Sequence, residues 1–74
     1  MIDLLKNEIR KISDIDLSNI KRDDRIEELG LDSFEMICLI SNLSEELKVD
    51  IQISDIAKLN TVDDFVEYLE SKVN

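Results

Sequence analysis

Leu29-Gly30-Leu31-Asp32-Ser33-Phe34-Glu35-Met36, residues 29–36, joins the chain's only glycine to the start of its longest apolar-periodic segment. Glycine adopts backbone angles that residues with a Cβ avoid, so Gly30 suits a tight approach to a helix start. Asp32 and Ser33 are both favourable N-cap residues, and Glu35 stands three positions after Asp32, where a capping box places its second partner. A helix beginning here sets the Ser33 hydroxyl at the positive end of the helix dipole, where an anionic group such as a phosphate is best tolerated.

Working outward, Met36, Ile40, Leu43 and Leu47 keep helical spacing, with Leu39 widening the stripe, and predict a helix from Ser33 to about residues 48–50. Upstream, Ile2, Leu5, Ile9 and Ile12 predict an amphipathic helix over about residues 2–13, with Lys6, Glu8, Arg10 and Lys11 on its polar side. Residues 14–32 are long for a free loop. They carry Ile15, Leu17, Ile20, Ile26, Leu29 and Leu31, so a packed loop with short turns is expected. Downstream, Ser54-Asp55, Ile56-Ala57 and Leu59 fit one or two helical turns. Asn60 or Thr61, with Asp64 behind it, caps a last helix whose buried stripe is Val62, Phe65, Val66 and Leu69, flanked by Tyr68 and Val73. With no proline and one glycine, a turn-rich β fold has little support. The expectation is all-α: a four-helix bundle with a long first loop and a short third helix, one domain over residues 1–74.

The composition removes several kinds of chemistry. There is no histidine, and Cys38 is the only cysteine, so Ser-His and Cys-His nucleophile pairs, intrachain disulfides and the usual zinc sites are excluded. Catalytic residues are therefore not expected, and the chain reads as a non-enzyme. Asp14, Asp16 and Ser18 alternate like the first ligands of a calcium loop. Asn19 stands where that loop needs glycine and Arg25 where it needs glutamate, so no metal site is assigned. The N-terminus lacks the pattern of a signal peptide, and no apolar run is long enough to span a bilayer. A cytoplasmic protein without membrane insertion is expected.

The net charge is −9, and it is unevenly placed. Acidic and basic residues balance over positions 1–25. Beyond that point Lys48, Lys58 and Lys72 face all the remaining acidic residues, so the excess belongs to the part containing Ser33. Nucleic acid and anionic membrane are disfavoured partners, and a basic protein surface is favoured. On a helical wheel Phe34 falls opposite the Met36/Ile40/Leu43/Leu47 stripe and Ile37 falls to one side. Both lie near Ser33 and read as a small docking patch, unless the 14–32 loop folds over them. Cys38 lies on the same outer side, with nothing basic near it to activate the thiol, and receives no role.

Leu29-Gly30-Leu31-Asp32-Ser33-Phe34 resembles the attachment motif of acyl carrier proteins, in which the serine of an Asp-Ser pair takes a 4′-phosphopantetheine arm from coenzyme A. Leu59-Asn60-Thr61-Val62-Asp63-Asp64 resembles the start of that family's last helix, and Ile51 to Leu59 its short third helix. The resemblance covers essentially the whole chain. It implies a covalent arm on Ser33 whose thiol holds acyl groups as thioesters, with Asp32 assisting the phosphopantetheinyl transferase that installs it. It further implies that Phe34, Glu35 and Ile37 are read by acyl-transferring or chain-elongating enzymes with basic docking surfaces, and that the carrier is a monomer. A gap lined by Met36, Leu39, Ile40, Leu43, Ile51, Leu59 and Leu69 is implied as an acyl shelter, though these side chains are more safely described as core. The second helix carries Cys38, Ser41 and Ser44 where primary fatty-acid carriers are more acidic, and Phe34 stands where leucine is frequent. The carrier role implied is in fatty-acid, polyketide or related specialised biosynthesis, and the pattern leans slightly towards a dedicated carrier in a specialised pathway. The alternatives are an aminoacyl carrier of the same fold and an unmodified acidic helical module that binds a partner protein.

Overall fold

The computed structural model describes residues 1–73. They form α1 (Ile2–Ile12), α2 (Ser33–Leu47), α3 (Ile53–Ile56) and α4 (Val62–Val73), with no strand among the described residues. A single 3-10 turn, Ile26–Glu28, interrupts the long connection between α1 and α2. The architecture is the expected all-α bundle, with the long first loop and the short third helix in place.

Hydrophobic spacing identified the buried faces. Leu39, Ile40 and Leu43 of α2 are buried with Met36 and Leu47 packed beside them, and α4 buries Val62, Phe65, Val66 and Leu69. Leu5 and Ile9 of α1 join the same core, and α1 packs against α2. Burying a side chain of this size stabilises by about 1.5–3 kcal/mol, so these few residues dominate the stability of so short a chain. Tyr68 flanks the α4 stripe as a half-buried residue, whereas Val73 is exposed.

Glu8 departs from expectation. Placed on the polar side of α1 by sequence, it is only 3% exposed. On the wheel it lies roughly 40° from Ile12, so the buried sector simply extends past the apolar stripe to include it. Its carboxylate accepts a hydrogen bond from Lys11 Nζ at 2.8 Å, which gives the buried charge the partner it needs. That bond, and the attraction behind it, holds the Lys11 ammonium above its ordinary pKa.

The 14–32 loop is ordered by its apolar residues and by α4. Leu17 and Ile26 are buried, and Ile15, Ile20, Leu29 and Leu31 pack on the core. The Ile26 amide donates to the Asn60 carbonyl at 2.9 Å, the Val62 amide to Asp24 at 2.8 Å and the Asp63 amide to Arg22 at 2.7 Å. Arg25 and Thr61 face each other as an antiparallel bridge, and Arg22 pairs with Asp63. Two of α4's opening N–H groups, which a helix leaves without internal partners, are therefore taken up by loop carbonyls. Thr61, rather than Asn60, is the cap: its hydroxyl accepts the Asp64 amide at 3.1 Å, and the Asp64 carboxylate accepts the Thr61 and Asn60 amides at 3.1 Å each.

Candidate functional site

Gly30 has φ +91°, outside the range comfortable for other residues. A Cβ there would lie 3.7 Å from Ile15 Cδ1, an ordinary contact. Backbone conformation, not space, is what calls for glycine. The turn delivers Asp32 in extended geometry as the N-cap of α2. Asp32 Oδ1 accepts the Glu35 amide at 2.7 Å, and the Asp32 amide donates to Glu35 Oε1 at 3.1 Å. This is the capping box read from the sequence, and it resolves which residue caps: Asp32 does, and Ser33 is the first residue inside the helix.

That position leaves the serine free. Ser33 is exposed, and its hydroxyl makes no hydrogen bond among the described residues. The Ser33 and Phe34 amides likewise have no acceptor there, because the capping carboxylate takes the Glu35 amide. A hydroxyl beside two open N–H groups at a helix N-terminus fits an anionic ester. No general base stands ready for Ser33, since the chain lacks histidine and the Asp32 carboxylate is engaged in the cap.

A cavity of about 440 Å³ adjoins the serine. Ser33, Met36, Ile37 and Ile40 of α2 line one side, and Ile53, Ile56, Ala57 and Leu59 line the other, with Ile26 and Leu31 from the loop. Of the gap expected from sequence, Met36, Ile40 and Leu59 line this space. Leu39, Leu43, Ile51 and Leu69 do not; they are buried core residues. On α2 the space runs from Ser33 to Ile40; Leu43 lies beyond that stretch, and Leu39 is turned about 100° from Ile40, towards the core. Arg25, Asn60 and Ile53 also line it and were not anticipated. For Ile53 the local pattern misleads: the alternation of Ile51-Gln52-Ile53 would put both isoleucines on one face, yet Ile51 turns into the core and Ile53 does not.

The remaining candidates separate clearly. Phe34 is 73% and Ile37 49% exposed, so the 14–32 loop does not cover them. Glu35, grouped with them as a residue read by partners, is half-buried and its carboxylate serves the cap. Cys38 is a half-buried free thiol. Asp16 accepts both the hydroxyl of Ser18 at 2.6 Å and its amide at 3.0 Å, closing a local turn that lowers the carboxyl's pKa. Among the described residues no group of His, Cys, Asp and Glu could hold a metal ion, and no helix is long and apolar enough to cross a membrane.

Comparison with known proteins bears on the same segment. Residues 3–69 match the phosphopantetheine attachment site family. The chain is 38% identical over 58 residues to an acyl carrier protein of Campylobacter jejuni subsp. jejuni, covering 77% of this chain and 75% of that protein. It is 33% identical over 64 residues to methylphloroacetophenone synthase of Cladonia uncialis, and 36% identical over 59 residues to nonribosomal peptide synthetase sidC of Arthroderma benhamiae. Those matches cover 86% and 80% of this chain but span only 2% and 1% of the two large synthases.

Proposed function

The chain belongs to the acyl carrier protein family, whose prosthetic group is a covalently attached 4′-phosphopantetheine, and on that footing we propose that Ser33 is the attachment residue of a non-catalytic acyl carrier. The observation that carries this reading is the free Ser33 hydroxyl, exposed at the first turn of α2 beside unused amides and an apolar cavity.

Each residue then has a definable task. Ser33 Oγ holds the arm, the Ser33 and Phe34 amides face its phosphate, and Asp32 keeps the helix start rigid while offering a carboxylate edge to the transferase. When bound, the arm supplies the thiol on which acyl groups ride as thioesters. Carrier domains work with synthase partner enzymes, and here Phe34 and Ile37 form the apolar spot that those enzymes read, inside an acidic surface suited to basic docking faces. The carrier acts as a monomer over residues 1–74, in the cytoplasm. Similarity to carrier segments of large synthases supports a dedicated role in a specialised pathway, and the peptide synthetase match keeps an aminoacyl cargo as the alternative.

Incubation with coenzyme A and a broad-specificity phosphopantetheinyl transferase, followed by intact mass, tests the proposal. One added phosphopantetheine unit, absent from Ser33→Ala, is expected. No gain beside an active control carrier overturns it. The exposed Phe34 favours one other reading, an unmodified interaction module; under that reading Ser33→Ala keeps partner binding while Phe34→Ala loses it.

A further inference from the structure

We propose that Tyr68 is a positioning residue that sets the width of the cavity beside Ser33, by fixing α3 through Asp55. The Tyr68 hydroxyl donates to Asp55 Oδ2 at 3.0 Å in a partly buried contact between α4 and α3. Together with the Arg22–Asp63 pair, it is one of two side-chain polar contacts among the described residues that join positions more than five apart. The Lys72 ammonium lies 5.5 Å from the centre of the Tyr68 ring and favours its present orientation.

α3 has few other means of holding its place. Four residues are far too few for a helix to be stable alone. Its N-cap, Gln52, makes no side-chain capping hydrogen bond, Ile56 is its one buried residue, and Ile53 is 53% exposed. Yet Ile53 and Ile56 form the wall of the cavity that faces α2. The distance between that wall and Ser33, Met36 and Ile37 is therefore governed by how α3 sits against α4, and the phenol–carboxylate bond is the directional contact that fixes it. Opening this bond leaves α3 held by Ile56 and its flanking chain, free to move outward. A narrow cavity shelters short acyl groups, and a released α3 admits longer ones. This last step rests on the reading of Ser33 as the attachment residue; the latch itself does not.

Two measurements on the full chain separate the two. In unmodified protein, amide exchange is followed at Ala57 and Leu59, whose N–H groups donate to the Ile53 and Ile56 carbonyls at 3.0 Å each. Tyr68→Phe and Asp55→Ala should speed both about fivefold, the effect of one ordinary hydrogen bond. Asp55→Asn, which retains an acceptor oxygen, should stay near the parent rate, and the amides of Phe65 and Leu69 should not change. Equal rates in all variants overturn the latch. In protein carrying the arm loaded with straight acyl groups of increasing length, the length giving the largest rise in melting temperature should increase in Tyr68→Phe. An unchanged length profile overturns the role in cavity width, whereas failure of Ser33 to accept the arm sinks only the attachment reading and leaves the exchange rates to decide the latch.

Discussion

Asp32 and Glu35 hold each other's backbone: the carboxylate of each accepts the amide of the other, at 2.7 and 3.1 Å. Both acidic groups nearest Ser33 are thereby committed to the start of α2. Their charge is part of the helix's construction as well as of the surface shown to partners, and substitutions must separate the two uses.

Asp32→Ala should cost about 1 kcal/mol, the usual loss for removing a cap, seen as a melting temperature lower by about 4–8 °C in a domain of this size. Asp32→Asn still caps and should melt close to the parent. Rates of arm transfer to the two variants then isolate the charge. Slow transfer to a fully stable Asp32→Asn protein shows that the transferase uses the carboxylate, and unchanged transfer removes Asp32 from that step.

Among the described residues, Gly30 and Lys48 are the two with positive φ, at +91° and +57°. Gly30→Ala should destabilise by about 1–2 kcal/mol, because L-residues resist such angles, despite the open space around it. Lys48 ends α2 in left-handed geometry, where glycine is the usual residue. Lys48→Gly should therefore stabilise, by about 0.5–1 kcal/mol. Urea denaturation of both variants checks the opposite signs.

Phe34→Ala removes a side chain that is 73% exposed, so unfolding free energy should change by less than about 0.5 kcal/mol. Transfer or elongation by a cognate partner enzyme should fall by about tenfold or more if this ring anchors the interface. A parent-like rate would show that partners do not read it.

Acid should weaken the fold partly through Asp64. The Thr61 and Asn60 amides, with the Thr61 hydroxyl, hold its carboxyl below the ordinary range. A carboxyl whose folded pKa is lowered stabilises fully above its unfolded value and loses that contribution as pH falls through the folded one. Asp64→Asn keeps an acceptor oxygen but does not titrate. Its stability should decline less than the parent's over the acid limb, measured by urea unfolding at successive pH values.

How much of this was legible in the sequence depended on the kind of signal. The stripes on α2 and α4 and the capping box at Asp32 and Glu35 are local patterns, and the structure reproduces them residue by residue. Glu8 was misplaced because periodicity marks apolar residues, not the full width of the buried sector. The cavity was half seen: Met36, Ile40 and Leu59 were named, but its outline depends on where α3 rests. The Tyr68–Asp55 bond that helps decide this joins residues that no local pattern relates. The pairing of the first loop with the opening of α4 was invisible for the same reason.

That pairing makes the ground beside Ser33 depend on a distant part of the chain. Arg22, Asp24 and Ile26 find their distant backbone partners in Asp63, Val62 and Asn60, so the loop that shapes the ground beside Ser33 is set by the last third of the chain, whereas the cap of α2 is closed by Asp32 and Glu35 alone. The cap of the serine's helix is a local device, and its setting is a long-range one. A partner that reads the helix start alone senses a local feature, whereas one that also touches the loop senses the docking of the last helix.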